Sequence, residues 1–168
     1  MKRLIARNDN TLNDGTFSYS CTSGKGGRRP ALEKTEGDGA SPIGFWPLKR
    51  VYYRPDRIAE PETGLPTIKL APDDGWCDDP ADPNYNKPVK RPYAASHEIM
   101  WRDDHAYDVV VELAHNDDPT LPGRGSAIFM HVMHDDCRPT EGCIALAIDD
   151  LLQILRLADT TTCLVIEP

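Results

Sequence analysis

Residues 125–146 combine two apolar segments with a polar loop between them, and this stretch constrains the fold more than any other. The apolar run 127–130 has the composition of a buried strand, and His131 follows it directly. A turn-rich loop leads to Gly142 and Cys143, after which the chain is apolar again. The pattern predicts a strand end that presents a histidine and a short loop that returns a glycine and a cysteine.

Cys143 has the surroundings of a reactive thiol. A cysteine becomes a useful nucleophile when a nearby base takes its proton, and His131 is the candidate base. Gly142 has no side chain, so a substrate carbonyl can approach the backbone N–H groups beside the thiol, as an oxyanion hole requires. The three residues therefore suggest acyl transfer by a cysteine.

Each of these residues also has a simpler interpretation. Most free cysteines are buried structural residues, which is the interpretation for Cys21 and Cys163 within strand patterns. A histidine at a strand end can be a core residue bound to backbone, and His134 is a competing base three residues further on. We favour the catalytic interpretation for Cys143 and His131.

The same stretch contains four side chains that zinc accepts as ligands: His131, His134, Cys137 and Cys143. A zinc site is therefore an alternative, although the spacing matches no common zinc module. Side chains alternate along a strand, which would separate the two histidines. We expect no metal and no other cofactor.

At these residues the chain resembles the L,D-transpeptidase catalytic domain (YkuD-type) family of bacterial peptidoglycan enzymes. That family has a histidine on a strand, a loop, and a Ser/Thr-x-Gly-Cys segment followed by a hydrophobic residue, which here are His131 and residues 140–144. An early Thr/Ser-Pro-x-Gly turn of the family matches residues 41–44. The resemblance extends from about Leu4 to about Ile166 and is nearest to compact members with Thr-Glu-Gly-Cys.

Two positions depart from the family pattern. Glu141 stands where the family usually has a second histidine, and Ala145 stands where it usually has Arg or Asn. The interval between His131 and Cys143 is also shorter than in the better-known secreted members. These departures keep open a non-catalytic alternative, in which the same cleft only binds muropeptides.

The resemblance implies a cysteine enzyme that acts on the tetrapeptide stems of peptidoglycan. Cys143 would attack the carbonyl at the L-centre of the third residue, a diamino acid, and release D-Ala through a thioester, while His131 moves the proton. Carbapenems are expected to acylate the same thiol. The candidate substrate-binding residues are Thr140, Glu141, His97, Glu98, Arg124 and Arg138.

The chain has the length of one domain, 1–168. Its formal net charge of −8 argues against a nucleic-acid partner and against binding to an anionic membrane surface. No apolar run approaches the roughly 20 residues that a membrane helix needs. We therefore expect stem peptides or muropeptides as partners, and neither nucleic acid nor membrane.

The five cysteines have no framework spacing, so free thiols in a reducing cytosol are expected. The N-terminal residues lack an apolar h-region, which predicts a cytoplasmic protein, or a periplasmic one if a leader has been lost. A cytoplasmic enzyme meets soluble muropeptides rather than polymer. We expect an L,D-carboxypeptidase of cell-wall (murein) recycling; the alternative is an L,D-transpeptidase that forms 3-3 cross-links.

Periodicity predicts a mostly β (α+β) domain with two short helices, and the family resemblance implies a β-sandwich-like fold. The predicted strands lie at 3–6, 16–21, 45–53, 107–113, 127–130 and 163–166, and the predicted helices at 96–102 and 149–157. The first two strands are predicted to form a hairpin. The Pro- and Asp-rich excursion 54–86 is expected to be an ordered wall of the cleft, and its acidic cluster a solvated loop rather than a calcium site.

Overall fold

The computed structural model describes residues 2–168, which form thirteen β-strands, one α-helix and a 3₁₀ helix at Ala31–Glu33. The strands are β1 (Arg3–Ala6), β2 (Thr11–Asn13), β3 (Ser18–Thr22), β4 (Arg28–Pro30), β5 (Ser41–Tyr53), β6 (Thr67–Lys69), β7 (Asp74–Cys77), β8 (Pro88–Lys90), β9 (His97–Ile99), β10 (Val109–Leu113), β11 (Phe129–Val132), β12 (Ile144–Leu146) and β13 (Cys163–Ile166). The helix α1 is Ile148–Leu157. The predicted domain 1–168 includes Met1, which lies outside the described residues.

The main sheet follows the order β10-β11-β12-β3-β2-β1-β13-β5-β4, and it closes on itself because β5 also pairs with β10. The long strand β5 makes this closure: its residues 44–47 pair with β13 and its residues 48–53 pair with β10. A register shift between Glu112 and Leu113 accompanies the change of partner. A strand that passes from one layer to the other through such an irregularity is typical of β-sandwich corners.

The main core contains the inward-facing side chains of most strands of this sheet and one face of α1. Along β10 and β11 the alternation is clear, since Val109, Val111, Met130 and Val132 belong to this core. The helix adds buried leucine and isoleucine side chains from the middle of its length. The alternation of side chains along each strand therefore decides which of its residues enter this core.

A second apolar cluster lies on the opposite face of β10 and β11. It includes Val110 and Phe129, together with Cys143 and Trp76. The indole of Trp76 packs edge-on against the ring of Phe129, with ring centroids 5.0 Å apart. Trp76 belongs to a separate three-stranded sheet of order β8-β7-β9, which covers this cluster and forms the outer side of the cleft described below.

The mostly β architecture and the predicted helix at 149–157 are confirmed, but the predicted helix at 96–102 is wrong. Residues 97–99 form β9, which pairs with β7 through Trp76 opposite Glu98. The local sequence favoured a helix, whereas pairing with a distant strand satisfies its backbone groups.

The predicted hairpin of 3–6 with 16–21 is also wrong, because the strand β2 lies between them and pairs with both. The excursion 54–86 is ordered, yet none of its residues lines the main cavity. It contributes instead β6, which pairs with β5, and β7, whose Trp76 packs in the apolar cluster that includes Cys143. Among residues 2–168, no helix is long and apolar enough to cross a membrane.

Candidate active site

A cavity of about 590 Å³ lies between the ends of β11 and β12 and the strand β9. Both Cys143 and His131 line it. The strands β11 and β12 are parallel neighbours, and His131 is opposite Ala145 in their register. Cys143 precedes Ala145 by two residues, about 6.6 Å along the strand direction, and residues two apart point to the same face of a strand. The side chains of Cys143 and His131 therefore project to the same face of the sheet. The sheet therefore brings the two predicted catalytic residues into one cavity.

The Cys143 thiol is almost enclosed, with 6% of the residue exposed. Its Sγ accepts a hydrogen bond from the Phe129 N–H at 3.3 Å and donates one to the Ala127 carbonyl oxygen at 3.2 Å. Burial, with the Glu98 carboxylate as second cause, raises the pKa of the thiol to about 12. The resting residue is therefore a neutral thiol that needs a base before it can attack.

His131, in the same cavity, has the protonation state that a base requires. Its Nδ1 is 2.8 Å from the carbonyl oxygen of Val132, which fixes Nδ1 as the donor and leaves Nε2 without a proton. Burial lowers the pKa of the imidazole to about 4, so the ring is neutral at pH 7 and can accept a proton. The ring also packs edge-on against Tyr107 at 5.4 Å, which restricts its rotation.

The turn before the cysteine is held by Thr140. The Thr140 hydroxyl donates to the Cys143 carbonyl oxygen at 2.7 Å and accepts from the Gly142 N–H at 3.1 Å. Gly142 has a φ of +132°, and a Cβ at this position would lie 2.8 Å from the Ala40 carbonyl oxygen. Only glycine fits this turn without strain.

These bonds modify the predicted oxyanion hole. The N–H groups of Gly142 and Cys143, beside the thiol, are the two expected donors, but the Thr140 hydroxyl already accepts the hydrogen bond of Gly142. The Cys143 N–H donates to no acceptor within residues 2–168, which leaves it available for a developing oxyanion. Gly142 therefore contributes by its conformation and small size, and Cys143 is the better candidate donor.

Four of the six predicted substrate-binding residues line the cavity: Thr140, Glu141, Glu98 and Arg138. The other two do not. His97 precedes Glu98 on β9 and so faces the other side of the strand, where its Nδ1 lies 2.8 Å from the Ala95 carbonyl oxygen. The Arg124 guanidinium donates to the Leu32 carbonyl oxygen at 2.7 Å, on a different part of the surface.

Several cavity residues come from parts of the chain that sequence reasoning did not single out. They are Lys25, Lys34, Glu36 and Tyr107. Lys34 and Glu36 lie only a few residues before the 41–44 turn that the sequence analysis identified, which is the one signal that could have indicated them. Tyr107 was assigned to a strand, although the strand β10 begins two residues later.

His134 also lines the cavity, and its ring centroid is 6.3 Å from that of His131. The alternative of a zinc site gains no support from the geometry. In the described part of the chain, no group of three or more His, Cys, Asp or Glu side chains is arranged to hold a metal ion. Cys137 does not line the cavity that His131, His134 and Cys143 share.

The family model described as the L,D-transpeptidase catalytic domain (YkuD) matches residues 2–166. No curated protein matches the chain.

The solved structures that are similar to the chain include the following two. One is the helical cell shape determining protein Pgp2 from Campylobacter jejuni, with 16% identity over 98% of this chain and 46% of that chain, and a TM-score of 0.48. The other is an L,D-transpeptidase from Mycobacterium smegmatis, with 14% identity over 99% of this chain and 58% of that chain, and a TM-score of 0.42. The chain therefore spans about half the length of these solved chains.

Proposed function

This chain belongs to the L,D-transpeptidase catalytic domain family, and from that membership we propose that it is a cysteine acyl-transfer enzyme acting on peptidoglycan tetrapeptide stems. The observation that carries the proposal is the shared cavity of Cys143 and His131, in which Val132 orients the imidazole so that Nε2 can accept a proton. A base and a nucleophile held in one cavity are what cysteine acyl transfer requires.

Acylation begins when His131 Nε2 takes the proton of the Cys143 thiol. The thiolate attacks the carbonyl carbon of the third stem residue, and the Cys143 N–H stabilises the oxyanion that forms. The amide bond to D-Ala then breaks, and the protonated imidazole gives its proton to the leaving amine. A thioester on Cys143 and free D-Ala result.

Deacylation by water gives a tripeptide stem, which is L,D-carboxypeptidase activity, and we favour this outcome. A cavity of about 590 Å³ has the size that suits a single drug-sized ligand, here the end of one stem. A water molecule can reach the thioester while the donor stem fills the cavity, whereas a second stem that acts as acceptor would need a binding surface outside it. Transfer to an amine, which would give a 3-3 cross-link, is the alternative.

Soluble muropeptides released during cell-wall turnover are the substrates we place first in this proposal, with the enzyme in the cytoplasm as part of murein recycling. Fractionation of cells with an antibody against the chain tests the location. Recovery in the periplasmic fraction would instead favour action on the polymer.

The direct test is mass spectrometry of a disaccharide-tetrapeptide incubated with the wild type, with Cys143→Ala and with Cys137→Ala. Cys137 is exposed and does not line the cavity, so it is the matched control. We expect loss of one alanine residue with the wild type and with Cys137→Ala, and no product with Cys143→Ala. Cross-linked dimers would identify a transpeptidase, and binding without any product would favour the non-catalytic alternative.

Acylation by carbapenems follows from the same thiolate chemistry. A strained β-lactam carbonyl that enters the cavity would be attacked by Cys143 and would open to a stable thioester. Intact-mass spectra should show one adduct on the wild type and on Cys137→Ala, and none on Cys143→Ala. An adduct that persists in Cys143→Ala would contradict this prediction.

A further inference from the structure

Most basic side chains of the cavity already have an acidic partner. The pairs are Lys25 with Glu141 at 2.6 Å, Lys34 with Asp38 at 2.5 Å, Arg102 with Asp104 at 2.6 Å and Arg138 with Asp136 at 3.2 Å. Two cavity carboxylates, Glu36 and Glu98, form no ion pair within residues 2–168. The cavity therefore has two carboxyl groups that no basic side chain of the described residues pairs with.

Glu98 is close to the reacting thiol. It lines the cavity with Cys143, and its carboxylate is the strongest charged influence on that thiol. Its Oε2 accepts a hydrogen bond from the Tyr107 hydroxyl at 2.6 Å, which fixes the carboxylate without neutralising it. The guanidinium of Arg102 attracts the Glu98 carboxylate, but its Nε and one of its terminal nitrogens donate to Asp104.

Glu36 and Asp78 add to the negative potential around Glu98. Glu36 accepts hydrogen bonds from the neutral hydroxyls of Tyr85 and Ser126. Asp78 has one enclosed carboxylate oxygen with no hydrogen-bond partner among the described residues. Burial, and then repulsion from Asp78 and Glu36, raises the pKa of Glu98. A cation bound beside Glu98 would oppose both effects, because its attraction stabilises the ionised carboxylate.

From this arrangement we infer that Glu98, held by Tyr107 and assisted by Glu36, binds the side-chain ammonium group of the third stem residue. This inference rests on the proposed function, since Cys143 would attack the carbonyl of that same residue. A long diamino side chain can then reach the Glu98 carboxylate while its own carbonyl lies at the thiol. The preferred substrate class is a stem whose third residue carries a free amine, and acylation of that amine removes the preference.

The test is calorimetric binding to the full chain with Cys143→Ala, so that turnover does not interfere. The two probes are a tetrapeptide stem with diaminopimelate as third residue and the same peptide with the side-chain amine acetylated. We expect acetylation to weaken binding about 10- to 100-fold, the usual range for loss of a hydrogen bond to a charged group. Adding Glu98→Gln should reduce that difference to less than about 3-fold.

Glu62→Gln is the matched control, because Glu62 is 85% exposed and lies outside the cavity. It removes the same charge and should leave the discrimination unchanged. Gln at position 98 can still accept from the Tyr107 hydroxyl, so the fold should be retained, which far-UV circular dichroism would check. Equal binding of both peptides to the Cys143→Ala protein, or full discrimination with Glu98→Gln, would overturn the inference.

The same peptides given to the cysteine-containing enzyme separate this inference from the proposed function. Turnover without discrimination by the amine would overturn only the inference. If Glu98→Gln abolishes turnover but leaves binding and discrimination intact, Glu98 acts on the proton transfer and the inference is overturned. Neither binding nor turnover of either peptide would overturn both.

Discussion

Cys143 and His131 lie where burial disfavours their charged forms. The Cys143 thiol also accepts a hydrogen bond from the Phe129 N–H and donates one to the Ala127 carbonyl oxygen. A neutral thiol and a neutral imidazole in one cavity differ from a preformed thiolate–imidazolium pair, because the proposed reaction then requires the proton to be transferred as substrate binds. The reactivity of the free enzyme toward small electrophiles should therefore be low.

Alkylation by iodoacetamide measures this difference. At pH 7 we expect the exposed Cys137 to be modified at least about tenfold faster than Cys143, because only the thiolate reacts and burial keeps Cys143 protonated. In Cys137→Ala the rate at Cys143 should rise about tenfold per pH unit between pH 7 and 10, since the pKa of this thiol is about 12. Peptide mapping by mass spectrometry gives both rates. A rate at Cys143 that is constant over this range would instead indicate a preformed thiolate.

At the scale of elements, the helix α1 completes the main core. Leu155 is fully buried against that core, whereas Leu157, two residues later on the same helix, is 57% exposed. Asp149 and Asp150 in its first turn and Arg156 in its last turn complement the helix dipole. The helix therefore depends on its buried face for most of its stability.

Leu155→Ala should lower the free energy of unfolding by about 2–5 kcal/mol, the usual cost of a cavity at a buried leucine. Leu157→Ala makes the same chemical change at an exposed position and should alter it by less than about 0.5 kcal/mol. Urea denaturation followed by circular dichroism measures both. Equal effects of the two substitutions would show that helix propensity, and not packing, dominates here.

Local patterns in the sequence predicted α1 and the strands β5, β10, β11 and β13, because apolar periodicity and turn residues lie within each segment. They failed at β9, whose strand conformation depends on pairing with β7, about 20 residues earlier. The same limit applies to the cavity. Cys143 and His131 were predictable from one continuous stretch, whereas Glu36 and Tyr107 reach the cavity only through the folding of distant segments.

At the scale of the whole molecule, two buried histidines link stability to pH. His115 packs edge-on against Trp46, with ring centroids 4.7 Å apart, and its Nε2 lies 3.1 Å from the Arg124 carbonyl oxygen. Burial lowers the pKa of His115 to about 4, as it does for His131. Between about pH 4 and pH 6.5 the unfolded chain binds protons at both positions and the folded chain does not. The free energy of unfolding therefore decreases as the pH falls through this range.

We expect a slope of about 2.7 kcal/mol per pH unit from the two histidines together, since one proton corresponds to about 1.36 kcal/mol per unit. Glu98, with its raised pKa, opposes this trend near the acid end. His115→Asn should reduce the slope by about 1.36 kcal/mol per pH unit, which corresponds to one proton. The difference between the wild-type and the variant slope gives the contribution of His115, because it does not depend on the absolute stability of either protein. Urea denaturation at several pH values from 4.5 to 7 provides the measurement. An unchanged slope would mean that His115 is protonated in the folded protein.

The strands at the two ends of the chain, β1 and β13, are parallel neighbours, with Arg3 opposite Cys163 and Ala6 opposite Ile166. The chain arrives at β1 from one end of this pair and leaves β13 at the other. Tension applied between the two ends would therefore slide these strands past each other in shear, so that their hydrogen bonds would carry the load together rather than open one after another. The pair should act as a mechanical clamp, and resistance to stretching in this direction should exceed what the free energy of unfolding alone indicates.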